Sequence, residues 1–259
     1  MKTKIEWADY TYNPVWGCNA GCEYCYARNI ARRFAYPIAE KETGIKTYSD
    51  IPDEQELKRN ILAYRIEDFK PVWLQKQFDN FKFPKKKSRI FIGSMSDIAY
   101  WKDEWIEKLT DKIKQYSQHN FLLLTKFPKI YKKLDKIMPE NVWFGVTVTR
   151  EEELERMLDL LHAVKDPIKR KFFTSFEPLI EYIPTKTLFG AGLTDWVIIG
   201  AMSGSNKQKT KTEWIGAIVS KAREYNVPVF VKQIVIDGKI EKDIKKFPEE
   251  LQYQEFHNI

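Results

Sequence analysis

The chain has 259 residues, 43% of them hydrophobic and 31% charged. That is ample for a sizeable buried core, and no apolar run is long enough to cross a bilayer. No membrane partner is expected on that ground, and 43 lysines and arginines against 36 acids leave a net charge of +7, which makes a polyanionic partner plausible. The basic start Met1-Lys2-Thr3-Lys4 is interrupted by Glu6 and Asp9, so no secretory signal is read there and the expected location is the cytoplasm.

In chain order, the first predicted strand runs from Tyr12 to Val15. All three cysteines follow it, within Cys18-Asn19-Ala20-Gly21-Cys22-Glu23-Tyr24-Cys25. Three thiolates at C-x3-C-x2-C spacing can hold three irons of a cubane cluster and leave the fourth iron open to a small molecule. The residues alone leave other readings open. A structural zinc wants four ligands, and the histidines, His119, His162 and His257, lie far off in sequence. Cys22 and Cys25 as a dithiol redox pair would leave Cys18 without a role, and a disulfide framework suits an odd number poorly. The helix expected after Cys25 carries Arg28, Arg32 and Arg33, and its N-terminal dipole favours a negative group beside the last thiolate.

Residues from about 36 to 88 break the pattern and read as an insertion, with Pro37, Gly44, Pro52, Pro71, Pro84 and a helical piece from Glu54 to Tyr64. A lid, a substrate-binding flap or a packing arm would each suit it. Beyond it, apolar strand-like runs alternate with segments of helical period, the signature of a parallel α/β architecture. The strands are predicted over Arg89 to Ile92, Phe121 to Leu124, Val142 to Val148, Lys171 to Thr174, Trp196 to Ile199 and Val229 to Val231. Helices are expected from about Asp103 to Ser117, after Thr149-Arg150-Glu151-Glu152 read as a capping box, and along Ile215, Ile218, Val219 and Ala222 with Thr212 as the cap.

In a parallel barrel the active site forms on the loops after the strands, and here those exits are polar. They carry Gly93-Ser94-Met95-Ser96-Asp97, Thr125-Lys126, Thr147 with Thr149, Ser175-Phe176-Glu177-Pro178, Gly200-Ala201-Met202-Ser203-Gly204-Ser205-Asn206 and Lys232-Gln233. Asp97 is equally readable as a helix cap and Thr149 better so. Glu177 is a candidate for binding hydroxyls or orienting a substrate, with a structural ion pair as the competing reading. Lys126 and Lys232 are the rim cations, suited to a phosphate or carboxylate or to pairing with Glu177. Lysine groups at Lys85-Lys86-Lys87, at Lys129, Lys132 and Lys133, around Arg170, and at Lys207, Lys209 and Lys211 read mostly as solvated faces.

The cysteine spacing, with Tyr24 in the aromatic slot before the last thiol, resembles the radical S-adenosylmethionine (SAM) superfamily. The resemblance implies a partial TIM-type (β/α)6 barrel, here with a seventh strand and the insertion after the first helix, forming one domain over residues 1–259. It implies a [4Fe-4S] cluster on Cys18, Cys22 and Cys25, SAM as cofactor, and an external electron donor such as flavodoxin or ferredoxin. By position, the loop with Ser94, Ser96 and Asp97 is similar to the superfamily's Gly-Glu motif, with Ser and Asp replacing the usual pair. Thr147 would meet the ribose of SAM, Ser203 the adenine, and Glu177, Lys126 and Lys232 the substrate. More closely, Lys4-Ile5-Glu6-Trp7, Tyr12-Asn13-Pro14-Val15, Ser94-Met95-Ser96-Asp97, Leu124-Thr125-Lys126-Phe127-Pro128, Val142-Trp143-Phe144-Gly145-Val146, Phe176-Glu177-Pro178-Leu179 and Phe230-Val231-Lys232-Gln233 resemble a phage-associated group of small three-cysteine radical-SAM-like proteins of unknown function, from Ile5 to about Gln233. Together with the positive charge this suggests modification of a nucleic-acid base or nucleotide precursor. A radical enzyme acting on a peptide or small metabolite, and a nucleic-acid-binding protein with a structural metal, are the alternatives.

Overall fold

Runs of β-branched and aromatic residues, apolar on both faces, are what a sheet covered on one side by helices and filled on the other by side chains requires. The computed structural model describes residues 3–31, 69–184, 193–203 and 210–256. Its main sheet has eight strands in the order β1 (Tyr10–Tyr12), β4 (Arg89–Ile92), β5 (Asn120–Thr125), β6 (Val142–Thr147), β7 (Phe172–Leu179), β8 (Trp196–Ala201), β9 (Val229–Ile236) and β10 (Lys239–Glu241). Pairing is parallel from β1 to β9, and each strand from β4 onward lies beside its predecessor, as short right-handed crossovers favour. Strand β10 turns back antiparallel through Asp237 and Gly238, both at positive φ. The hydrogen-bonded ladder has β1 and β10 as its edges.

Alternation along the strands divides the core. One face, with Ile90, Leu123, Phe144, Val197 and Val231, packs against Ile106, Leu109 and Ile113 of the helix Asp103–Lys114, Met157 and Leu160 of Glu155–Ala163, and Ile215 and Ile218 of Thr212–Glu224. The other face carries Phe91, Leu122, Trp143, Phe173, Trp196 and Phe230, gathered around Trp7. Strands β4 and β8 are four steps apart, which in a flat sheet is about 19 Å. Yet the rings of Phe91 and Trp196 lie 4.6 Å and 6.3 Å from that of Trp7, so the sheet curls around the indole. Gly145 makes room inside the curve, because a Cβ there would meet the Phe173 ring at 2.3 Å. Below the rings, Phe256 packs 5.2 Å from Phe230 under the Arg89 guanidinium, 3.5 Å away.

Several sequence expectations need correction. The first strand ends at Tyr12, and Val15–Trp16 (β2) pairs instead with Val72–Trp73 (β3). Strand β7 continues to Leu179, so Ser175 and Glu177 lie within it and not after it. The carboxylate that reaches back to Thr149 is Glu153, which accepts from its N–H at 2.7 Å and its hydroxyl at 2.9 Å, not Glu152. Thr212 begins its helix but caps nothing, since its hydroxyl donates to the Val235 carbonyl. Much of the expected insertion, including the helical piece from Glu54 to Tyr64, lies outside the described residues. Its last part is a packing arm, with Phe81 4.6 Å from Tyr12 and Phe83 4.0 Å from Tyr116. Among the described residues no helix is long and apolar enough to cross a membrane.

Near Phe83, His119 is fully buried beside the rings of Tyr116 and Phe121. Burial pushes its pKa below 6.5, with Pro84 opposing in part. The unfolded chain therefore binds a proton that the folded chain resists, and stability falls as pH drops below about 6.5. His119→Leu is expected to flatten that slope, read as a smaller loss of unfolding midpoint between about pH 7.5 and about pH 5.5. An unchanged slope would remove His119 from the account.

Candidate active site

The cysteine loop is fixed to its neighbours before its sulfurs do anything. Gly17 sits at φ +95, and a Cβ on it would fall 2.0 Å from the Lys70 carbonyl oxygen, so only glycine fits between the loop and the arm. The Gly17 N–H donates to Met95 at 3.0 Å, its carbonyl accepts from the Ser96 hydroxyl at 2.6 Å, and the Cys18 N–H donates to Phe69 at 2.6 Å. A turn closed by Cys25 N–H to Cys22 carbonyl leads into helical residues 26–31. Backbone N–H groups of Ala20 and Arg28 approach the sulfurs of Cys18 and Cys25, each at 3.4 Å. Arg28 is the described member of the predicted arginine group; Arg32 and Arg33 lie outside the described residues.

All three cysteines line one cavity of about 400 Å³. Burial pushes the Cys18 thiol up to about 12 despite the Ala20 N–H, with Asp97 and the other two cysteines adding to the rise. The Cys22 thiol is also raised by burial, against the opposing pull of Lys126. Among the described residues no three His, Cys, Asp or Glu side chains close on a single ion-sized point.

The loop after β4 forms the next wall and contributes Ser94, Ser96 and Asp97. The Ser94 hydroxyl exchanges hydrogen bonds with the Asn13 amide at 2.9 Å and 3.1 Å, and its carbonyl accepts from the Tyr26 hydroxyl. The Ser96 hydroxyl also accepts from the Trp101 indole at 2.9 Å. Asp97 takes the Ala99 N–H at 3.0 Å, the Thr125 hydroxyl at 2.6 Å and the Lys126 N–H at 3.0 Å. Its carboxylate thus organises the β4 and β5 exits, the capping role with two further donors added. Lys126 extends its ammonium to 5.5 Å from the Tyr24 ring, and no ion pair holds it among the described residues.

Across the cavity stand Thr147 on β6, Ser175 and Glu177 on β7, Lys232 on β9 and Ser203 after β8. Glu177 and Lys232 form an ion pair, both side chains about four-fifths buried. Gly200 lies between their strands, and its bare Cα leaves the Glu177 side chain where a Cβ would sit 3.3 Å away. Beneath, Trp7, Phe91 and Leu124 make an apolar floor.

Every predicted site residue therefore faces the same space. Sequence reasoning missed Trp7 as floor and Tyr26 and Met202 as lining. Ser175 was legible as a lining residue, since it alternates with Phe173 and Glu177 on one face.

A family model described as a protein of unknown function (DUF5131) matches residues 2–257. No curated protein sequence matches the chain. Among solved structures, a point variant of spore photoproduct lyase is similar at a TM-score of 0.43 and 13% identity, over 86% of this chain and 63% of that one. Another variant, with dinucleoside spore photoproduct, is similar at the same score and coverage with 14% identity. The chain spans less than two thirds of the length of both, and likeness at this score carries no argument about chemistry.

Proposed function

The chain belongs to the DUF5131 family of proteins of unknown function, and for this member we propose a radical SAM enzyme acting on a nucleic-acid base or a nucleotide precursor. The observation that carries the reading is the convergence of Cys18, Cys22 and Cys25 on one cavity whose opposite wall is polar and whose floor is aromatic. The curved, mostly parallel sheet with its site at the strand exits supports the partial TIM-type barrel that such chemistry uses.

The donor set fits a cubane better than a lone ion. A tetrahedral structural zinc wants four ligands, most often cysteine or histidine, and among the described residues the cavity lining offers three cysteines and no histidine. His119, buried in its own aromatic cluster, offers it no fourth ligand. Three thiolates lining one cavity suit three separate irons, and the N–H groups of Ala20 and Arg28, aimed at the sulfurs of Cys18 and Cys25, stabilise negative charge there. When bound, a [4Fe-4S] cluster carrying SAM on its open iron and reduced by flavodoxin or ferredoxin supplies a 5′-deoxyadenosyl radical able to abstract hydrogen.

The remaining work belongs to the chain. The Lys126 ammonium lowers the cost of negative charge at Cys22. Thr147 and Ser175 present hydroxyls to a ribose or a substrate. Glu177 and Lys232 form a fixed dipole that orients a polar group without adding net charge to the wall. Asp97 acts as a positioning residue, because its oxygens are already engaged. The rings of Trp7 and Phe91 keep water from the floor, where a carbon radical needs protection.

Anaerobic loading with iron and sulfide, followed by dithionite and SAM, is expected to release 5′-deoxyadenosine and methionine, measured by liquid chromatography with mass detection. A fully iron-loaded chain that gives neither product overturns the enzyme reading. Nucleoside mass spectrometry on cells with and without the protein then tests the substrate class.

A further inference from the structure

We infer that the rim formed by the cysteine loop and the exits of β4 and β5 is a docking platform for single-stranded nucleic acid, with exposed Phe127 and Tyr26 as stacking faces and Lys102 and Lys129 as phosphate partners. This rests on the base-modifying reading above and names the form in which the base arrives.

Phe127 is 39% exposed and directly follows the cavity-lining Lys126, and Tyr26, itself a lining residue, is 52% exposed. Single exposed aromatics are ordinary on protein surfaces, but Phe127 is held out by a bonded backbone. Its N–H donates to the Thr125 hydroxyl at 3.0 Å, which donates to Asp97, which also takes the Lys126 N–H. The ring therefore has no easy route to bury itself. Edge-to-face contact with Tyr100, at 5.2 Å, further fixes its plane, and Tyr26 is tethered by its hydroxyl to the Ser94 carbonyl. Rigid, outward rings beside a cavity are what successive bases stack on, since every base offers a flat face.

Charge selects the occupant. Lys102 and Lys129 are exposed two residues beyond Tyr100 and Phe127, with Lys132 following, and Lys126 stands just inside; the acids of that edge are Glu23, Glu104 and Asp103, the last paired with Lys133. The opposite edge, after β6 and β7, carries Glu151, Glu152 and Glu181 against Arg150, which pairs with Glu152, and so keeps a net negative charge. A polyanion is therefore drawn to the aromatic edge and repelled from the other. A single strand suits the rim because its bases are free to leave the stack and reach a cavity, which a paired base does only after flipping.

The test is fluorescence anisotropy with the iron-loaded, full-length chain and a short labelled mixed-sequence DNA or RNA strand, its duplex, and an abasic strand of equal length. Expected is preference for the single strand over both competitors, and affinity that falls with rising salt. Phe127→Ala should weaken binding about tenfold, and Phe127→Trp should restore it. Lys129→Ala should reduce the salt slope by about 0.7. 5′-Deoxyadenosine formation without substrate should stay as in the parent for Phe127→Ala, which lies outside the cavity lining. Equal binding by the abasic strand, or unchanged affinity in Phe127→Ala, overturns the platform. A chain that cleaves SAM but binds no strand defeats this inference alone; one that binds but does not cleave defeats the enzyme reading alone.

Discussion

Cys22→Ala is expected to yield a folded chain that carries no iron–sulfur absorption and releases no detectable 5′-deoxyadenosine from SAM. Cys22 sits on a turn closed by its own backbone carbonyl, which accepts the Cys25 N–H at 3.2 Å, and alanine keeps that bond. Its side chain is only partly buried, so truncation costs about 1 kcal/mol or less. The chemical loss is of another order, because a cubane held at two corners is no longer anchored with one iron open. Iron content, visible absorption and product formation should fall together while the thermal midpoint stays within a few degrees of the parent. Normal iron and activity in this variant would sink the assignment.

Gly17→Ala should fail for a different reason. The new methyl would lie 2.0 Å from the Lys70 carbonyl oxygen, 2.5 Å from the carbon bonded to it and 2.8 Å from the Phe69 carbonyl oxygen, all backbone atoms. The loop cannot retreat without breaking the bonds from Gly17 to Met95, from Ser96 to Gly17 and from Cys18 to Phe69. A cost of about 3 kcal/mol or more follows from the strain and the lost hydrogen bonds, which in a chain of this size lowers the midpoint by about 10 °C. Iron loading should drop as well, since Cys18 is the adjacent residue. Gly21→Ala is the control: it has positive φ but nothing within 4 Å of the added carbon, so about 1 to 2 kcal/mol and retained iron are expected. Equal behaviour of the two variants would show that contact with the arm is unimportant.

The strands from β4 to β9 were readable because each is an apolar run bounded by polar residues, and the helices because Ile106, Leu109 and Ile113 repeat at helical spacing. Strands β2 and β3 escaped because each is two residues long and its partner lies more than fifty positions away; nothing local marks such a pair. The β9–β10 hairpin was legible in principle, since Asp237-Gly238 between strand-forming residues is a strong two-residue turn signal. At the site, alternation put Thr147 on the face that lines the cavity, and the cap from Asp97 to Ala99 was readable as well. The other donors to Asp97, from Thr125 and Lys126, required coordinates, because long-range hydrogen bonds leave no periodic trace in sequence.

Among the described residues, rings fill the curve of the sheet below the cavity, so a guest settles no deeper than Trp7 and Phe91. It then shares one space with the cysteine loop and the Glu177–Lys232 wall. A second guest held against the thiols would lie over the first and hinder its departure.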